Sequence, residues 1–150
     1  MTLPARAVVV VVGVVAVAAA CHAPVPVASP ARDGWGAMSW EDRHDTMTFA
    51  VLPKMARTFQ RFAGSTAPDM TCATCHGTDA ELVQYAMPHG LPALDPVHLP
   101  DRSATDPKEA RIAKFMFDEV TPAMADLVGV PLYDPKTKQG FSCFNCHPSR

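Results

Sequence analysis

The sequence has no block of basic residues. Its 13 Lys and Arg are spread along 150 residues and are outnumbered by 15 Asp and Glu, which gives a net charge of -2. Proteins that bind nucleic acid usually concentrate positive charge on one face, because much of their affinity comes from contacts to phosphates. Nucleic acid is therefore not an expected partner.

A segment long enough to span a bilayer is also missing. The apolar run at 7–20 is uncharged, but it is shorter than the roughly 20 residues that a membrane-spanning helix needs. It follows Arg6 and ends in three alanines, a pattern typical of an export signal with small residues at its cleavage site. We therefore predict a signal peptide at residues 1–20.

The four residues AAAC at 18–21 resemble the lipobox of bacterial lipoproteins, whose Cys becomes the lipidated first residue of the mature chain. Three prolines within 21–34 make the next stretch a stiff, extended spacer that does not pack. We predict that Cys21 carries a lipid anchor and that 21–34 is a tether, which places the protein on the periplasmic side of a bacterial membrane. His22, rather than Asp, follows the Cys, which by lipoprotein sorting favours the outer membrane.

Apart from Cys21, the sequence has only two Cys-x-x-Cys pairs, each followed at once by His: CATCH at 72–76 and CFNCH at 143–147. Cys-x-x-Cys-His is the signature of c-type haem attachment, in which the thiols bind the haem covalently and the His is the proximal iron ligand. The pattern predicts two haem c groups. The expected attachment residues are Cys72, Cys75, Cys143 and Cys146, and the expected proximal ligands are His76 and His147.

Other uses of paired cysteines explain the sequence less completely. Disulfides or a zinc site would leave the two adjacent His without a role, and only 6 of the 150 residues are His. The pairs are separated by 67 residues, farther than in a zinc ribbon. A thioredoxin-like redox motif needs strands around it, and no strand pattern is present.

Each predicted iron needs a sixth ligand. Only three residues follow His147, so the second ligand is expected upstream, where the segments 47–59 and 116–128 align without gaps. The identical pairs include Met47 and Met116, Val51 and Val120, Pro53 and Pro122, and Met55 and Met124. Such an internal repeat indicates one structural unit used twice, at about 39–80 and 105–150.

Both repeated segments are predicted to be helical, because their apolar residues recur at helical spacing. Ser39 and Asp106 are N-cap signals for the two helices. Pro53 and Pro122 lie inside the helices and predict a kink or a restart there. The fold class is mainly α: a small dihaem cytochrome c domain at 35–150, with two helix–loop–motif units and long irregular loops.

Methionine on an apolar helical stripe is usually a packing residue. Here two irons need ligands, and each apolar stripe carries a Met at the same position of the repeat. We therefore expect Met55 and Met124 to be the sixth ligands. A thioether together with an imidazole is a common ligand pair in cytochromes c. The alternatives on similar helix faces are Met47 and Met116. The competing arrangement is bis-His ligation through His89 and His98, in the Pro-rich connector between the units.

Met55-Ala56-Arg57, followed by a loop and CATCH, resembles the repeat unit of the cytochrome c subunit of bacterial photosynthetic reaction centres. That resemblance implies a Met on the helix before each motif as the sixth ligand. This chain has fewer units than that family, and Met124 is followed by Ala125-Asp126 rather than by an Arg at the second position. A role in photosynthesis is therefore not implied.

Together these observations predict an electron-transfer protein, not an enzyme, that carries single electrons through two haems outside the cytoplasmic membrane. Its expected partners are a donor and an acceptor protein, which the sequence does not identify, and the membrane that holds its anchor. One alternative is a dihaem peroxidase-like enzyme, which needs a haem with an open or displaceable distal site. The other is a haem- or zinc-binding module without a redox role.

Overall fold

The computed structural model describes residues 34–67, 69–97, 99 and 105–150. The predicted signal peptide, Cys21, His98 and the tether before Gly34 lie outside the described residues. Within these ranges the chain is mainly helical and has isolated β-bridges but no strand, which confirms the mainly α class. None of the helices in the described part is both long and apolar enough to cross a bilayer.

The described ranges contain six α-helices. They are α1 Gly34–Ala37, α2 Trp40–Thr46, α3 Leu52–Ala63, α4 Cys72–His76, α5 Pro107–Phe115 and α6 Thr121–Leu127. Two π turns, Met47–Val51 and Met116–Val120, join α2 to α3 and α5 to α6. Single 3₁₀ turns occur at Gly64–Thr66 and Cys143–Asn145.

The two long helical runs begin where the sequence signals predict. Ser39 caps α2, because its Oγ accepts a hydrogen bond from the Asp42 N–H at 3.0 Å. Asp106 caps α5, and its carboxylate accepts from the N–H groups of Lys108 (2.7 Å) and Glu109 (3.2 Å). Both side chains satisfy amide groups that the first turn of a helix leaves unpaired.

Each run contains a π turn immediately before a helix with proline in its first turn, Pro53 in α3 and Pro122 in α6. In a regular α-helix, a proline ring would clash with the carbonyl four residues earlier. The π turn changes this spacing: the Leu52 N–H donates to the carbonyl of Met47, five residues earlier, and the same bond precedes Pro122. At both prolines, where a kink or a restart was expected, a π turn therefore leads into a new α-helix.

The two helical runs lie antiparallel. The Phe115 ring of α5 stacks on Phe62 of α3, with 4.0 Å between ring centroids, and meets the edge of Phe59 at 5.0 Å. Arg111 lies over the Phe62 ring and donates to the Phe62 carbonyl at 2.7 Å. The C-terminal end of the first run is thereby fixed to the N-terminal half of the second.

The two helical runs also contact each other nearer the N-terminal end of the first run and the C-terminal end of the second. The first π turn contacts α6, and the second π turn contacts α3. Met47 packs against a buried cluster formed by Ala125, Val128 and Phe141. Because Phe141 lies two residues before Cys143, this cluster places the second Cys-x-x-Cys-His motif next to the helix crossing.

Candidate functional site

The first motif, CATCH, forms a helical turn of its own, α4. The Thr71 N–H donates to Oγ1 of Thr74 at 3.0 Å, so one of the two residues between the cysteines caps the turn. Cys72 and Cys75 are three residues apart on this turn, a spacing that puts two side chains on the same side of a helix. Gly77, with φ of 84°, ends the turn in a conformation that favours glycine.

The second motif, CFNCH, forms a 3₁₀ turn at Cys143–Asn145 with the same capping pattern. The Ser142 N–H donates to Oδ1 of Asn145 at 2.8 Å, and the Ser142 Oγ accepts from Phe144 N–H at 3.3 Å. In each motif, therefore, the residue before the first Cys is hydrogen-bonded to the residue before the second Cys. These residues are Thr71 and Thr74 in the first motif, and Ser142 and Asn145 in the second. This shared pairing gives different intervening residues, Ala-Thr and Phe-Asn, similar local geometry.

All four motif cysteines are free thiols. Burial, with smaller contributions from Cys75 and Cys143, raises the pKa of Cys146 to about 11. Burial also raises the pKa of Cys75, with a smaller contribution from Cys72, and that of Cys143. Cys75 and Cys146, the second cysteines of the two motifs, are thus within electrostatic range of each other, although they are far apart in the sequence.

The connector after the first motif reaches the second and positions His147. The His147 Nδ1 lies 2.8 Å from the carbonyl oxygen of Pro92. A carbonyl only accepts hydrogen bonds, so Nδ1 carries the proton and Nε2 keeps its lone pair for a metal. The Leu94 main chain fixes this contact, because its N–H donates to Pro148 (2.8 Å) and its carbonyl accepts from Arg150 (2.9 Å).

His76 has a different environment. Its Nδ1 is buried and has no partner in hydrogen-bonding geometry. The ring meets the Tyr85 ring edge-on, with 5.6 Å between centroids. Burial is the main influence on the pKa of His76 and lowers it. The Tyr85 backbone carbonyl lies near the ring, outside bonding geometry, and raises this pKa to a smaller extent. His89 lowers the pKa slightly further. The net effect favours the neutral imidazole, the form that binds metals.

The methionines expected as sixth ligands occupy different positions. Met124 packs against the Ala125, Val128 and Phe141 cluster, which Cys146 also contacts, so the structure brings Met124 to the second motif. Met47 packs on the same cluster. Met55 is 3% exposed on α3, and Met116 is half-buried in the second π turn.

The His89 ring is engaged with a carboxylate. Its Nε2 lies 2.9 Å from Oδ1 of Asp79, and the hydrogen bond to His89 is the largest of the causes that lower the pKa of Asp79. Gly90 then places the connector directly against the main chain of His76, in a position with φ of 76°. His89 thus helps to fold the connector onto the first motif, whereas His98 lies outside the described residues.

Three residues of this site were not identified from the sequence: Asp79, Tyr85 and Pro92. They occupy the irregular connector, where no periodic pattern tells which residue contacts a motif. Their contacts depend on the path of the loop, which is set by long-range main-chain bonds such as those of Leu94.

In the part of the chain that the structure describes, no three His, Cys, Asp or Glu side chains converge as ligands of a metal ion would. A structural zinc site needs four such ligands. A c-type haem iron takes a single His from each motif, so it requires no such cluster. Each motif turn offers two thiols and one imidazole, which are the groups that a covalently attached haem would require.

Comparisons of this chain with protein-family models, with curated proteins and with solved structures found no match.

Proposed function

We propose that this protein is an electron carrier with two covalently attached c-type haems, one on each Cys-x-x-Cys-His turn. The observation that carries the proposal is the pair of matching capped turns. Each turn presents two free thiols and an imidazole, and the connector that follows the first turn bonds to the second motif, from Pro92 to His147. Bound haem supplies the redox chemistry, since its iron cycles between the ferric and ferrous states.

In this proposal, the cysteines would hold each haem covalently. Each thiol adds across one vinyl group: a sulfur–carbon bond forms, and the thiol hydrogen passes to the other vinyl carbon, so that no oxidant or reductant is consumed. Cys72 and Cys75 serve the first turn, and Cys143 and Cys146 serve the second. Covalent attachment suits a small domain, because a chain of this size buries little apolar surface of its own.

The histidines provide the proximal ligands. His147 is suited to this role because Pro92 fixes its tautomer and leaves Nε2 free, the arrangement that metal-binding histidines usually have. His76 is suited to it because its burial favours the neutral ring. We assign the sixth ligands to Met124 for the second turn and Met55 for the first. Methionine ligation raises a haem potential relative to a second His.

The repeated architecture supports a carrier of two haems. In both units a π turn precedes a Pro-started helix that bears the proposed ligand, and a loop then leads to the motif. The same arrangement of Met helix, loop and motif is the basis of the resemblance to the reaction-centre cytochrome subunit. The proposal places the chain outside the cytoplasmic membrane, where c-type haems and a lipid anchor at Cys21 are both expected.

Intact mass of protein produced with a cytochrome c maturation system tests the assignment. The wild type should exceed the mass of its mature polypeptide by two haems. A variant with Cys72→Ser and Cys75→Ser should keep one haem, as should a matched variant with Cys143→Ser and Cys146→Ser. A wild-type mass with fewer than two haems, or a purified protein containing stoichiometric zinc, would contradict the proposal.

The same preparations separate a carrier from an enzyme. A carrier with both irons six-coordinate is expected to show only low-spin ferric haem by EPR and negligible turnover of hydrogen peroxide. A high-spin signal together with steady peroxide turnover would instead identify the peroxidase-like alternative.

A further inference from the structure

The two motif histidines are held in different ways, although their turns match. The His147 ring is held by a hydrogen bond from Nδ1 to the Pro92 carbonyl at 2.8 Å. The His76 Nδ1 has no such partner, and an aromatic ring lies against the imidazole instead. The orientation of the His76 ring is therefore set by packing and not by a hydrogen bond from Nδ1.

Tyr85 is in the position to set this orientation. Its ring meets the His76 ring nearly at a right angle, 83°, with 5.6 Å between centroids. Edge-to-face contacts at this separation are a preferred geometry for aromatic rings and fix their mutual orientation. The Tyr85 carbonyl, also near the His76 ring, lies outside bonding geometry, so the side chain makes the defining contact.

The backbone conformation at Tyr85 is unusual for a residue with a side chain. Gln84 has φ of 52° and Tyr85 has φ of 56°, both in the left-handed region that favours glycine. The Tyr85 N–H donates to the carbonyl of buried Ala80 at 2.8 Å, which holds the turn in this form. Such conformations persist where the surroundings determine them, and they are often found near functional groups.

The outer side of Tyr85 is supported by α2. The His44 ring lies at 6.2 Å and 71° from the Tyr85 ring, and Trp40 stacks on His44 at 5.1 Å and 17°. Trp40 is 55% exposed, so the four rings form a continuous series from the protein surface to His76. Because α2 belongs to the first helical run, the series ties that run to its own motif.

We propose that Tyr85 is a positioning residue for His76: its ring, supported by His44, fixes the orientation of the imidazole and keeps water away from Nδ1. This proposal rests on the proposed function, since His76 acts as an iron ligand only when the first turn carries haem. Exclusion of water matters because hydrogen bonding to Nδ1 makes a ligating imidazole a stronger electron donor and favours the ferric iron.

The test compares Tyr85→Ala with Tyr85→Phe in the full-length protein that carries both haems. Tyr85→Ala admits water to Nδ1 and frees the ring. It should therefore lower one of the two midpoint potentials and shift one of the two low-spin ferric EPR signals. Tyr85→Phe keeps the ring contact and should restore both values to those of the wild type. Tyr133→Ala removes the only other tyrosine, on a loop near the second motif, and is the matched control expected to change neither.

A second variant tests the role without altering Tyr85. His44→Ala removes the support for the Tyr85 ring, so it should shift the same EPR signal in the same direction, by less than Tyr85→Ala does. The proposal is overturned if Tyr85→Ala leaves both potentials and both signals unchanged, or if it shifts both haems equally. It is also overturned if Tyr85→Phe behaves like Tyr85→Ala. Failure of the proposed function would be seen earlier, as a wild-type protein without two haems.

Discussion

Met47 and Met124 reach the same buried cluster from different helical runs, so the choice of ligand at the second motif depends on these two side chains. Helical spacing alone does not separate them, because both belong to matching apolar stripes. Both side chains and Cys146 pack against this cluster, but only Met124, on α6, lies in the repeat unit that contains Cys146. We therefore expect Met124, rather than Met47, to bind the second iron.

The variant Met124→Ala tests this assignment. The haem–Met bond gives a weak near-infrared absorption band in the ferric state, so the variant should lose about half of the band seen for two Met-ligated haems. One haem should become high-spin while both stay attached through their cysteines. Optical and EPR spectra of the ferric protein measure both changes.

The control for this experiment is Met47→Ala. It removes packing from the same cluster and should leave the band intact. It should lower the free energy of unfolding by less than the roughly 2–5 kcal/mol expected for a fully buried Met, because Met47 is only partly buried. Loss of the band in Met47→Ala but not in Met124→Ala would show that Met47, and not Met124, binds an iron. A wild type without the band would instead favour bis-His ligation.

At the scale of single residues, the sequence predicts a chemistry for the motifs but not the residues that surround them. Cys-x-x-Cys-His predicts attachment and proximal ligands because each of its residues has a chemical role at a fixed spacing. The contacts of Tyr85 and Pro92 could not be predicted, since they depend on where an irregular loop returns. For His89, the sequence left open an iron ligand or a surface residue, and the structure shows its ring hydrogen-bonded to Asp79.

Among the helices and turns, the short stretch around Gly90 determines how closely the connector packs against the first motif. A Cβ at this position would lie 2.5 Å from the His76 carbonyl carbon and 2.6 Å from its oxygen, and φ is 76°. Such distances require the connector to move away from the first turn. Gly90 therefore permits the close approach that brings Tyr85 and His89 to His76.

Gly90→Ala should lower the free energy of unfolding by more than about 1 kcal/mol, because it combines an unfavourable φ with a main-chain clash. It should also change the EPR signal of one haem and not the other. Gly36→Ala is the control, since a Cβ there would meet nothing within 4 Å. Equal melting temperatures for the two variants would show that the connector does not require this contact.

The aromatic contact between α3 and α5 is the main element that fixes the far end of the helix pair. Phe115 is 4% exposed and contacts Phe59 and Phe62. Phe115→Ala should therefore cost about 3–5 kcal/mol of unfolding free energy, the range for truncating a buried aromatic residue. Chemical denaturation of the protein with both haems measures this loss.

Ile112 lies on the same helix and is 40% exposed, so Ile112→Ala is the matched comparison. It should cost less than about 1.5 kcal/mol, because little apolar area returns to water. If the two variants lost the same stability, the ring cluster would not be the contact that joins the helical runs.

The helices themselves were predictable to a large extent. Ser39 and Asp106 gave the correct starts, because a capping side chain next to an apolar periodic run has a local cause. The prolines indicated a restart but not its form; the π turns arise from the need to clear the proline ring within a continuous run. The antiparallel packing was not predictable, since it depends on contacts such as Phe62 with Phe115 that are distant in sequence.

For the whole molecule, the first question is its attachment to a membrane. The proposed anchor, Cys21, lies outside the described residues, and the prediction rests on AAAC and the Pro-rich spacer that follows it. Cys21→Ser should move the protein from the membrane fraction to the soluble periplasmic fraction without loss of haem, because lipid chains on this residue would supply the attachment. Fractionation and haem staining measure both properties.

Cys143→Ser with Cys146→Ser is a useful control, because it removes one haem but keeps the anchor. That variant should stay with the membrane. Retention of Cys21→Ser in the membrane fraction, after confirmed signal cleavage, would locate the attachment elsewhere in the chain.

The second question concerns the two proposed haems as a unit. Cys75 acts electrostatically on Cys146, and one connector contacts both motif histidines, at Tyr85 and at Pro92. Both irons should therefore lie in one small region of the molecule. If both haems are bound, an electron that enters at one haem should reach the other without a second protein, and the chain would act as a relay as well as a carrier.

Partial photoreduction of the protein with two haems tests this expectation. If the midpoint potentials differ, absorbance should relax after the flash as the electron moves to the haem of higher potential. The rate of that relaxation should not change with protein concentration, because the step occurs within one molecule. The Cys143→Ser and Cys146→Ser variant, with a single haem, should lack this phase and keep only the concentration-dependent exchange between molecules. A relaxation rate that rises in proportion to protein concentration would show that the two haems do not exchange electrons directly, and that the proximity of the two turns serves folding alone.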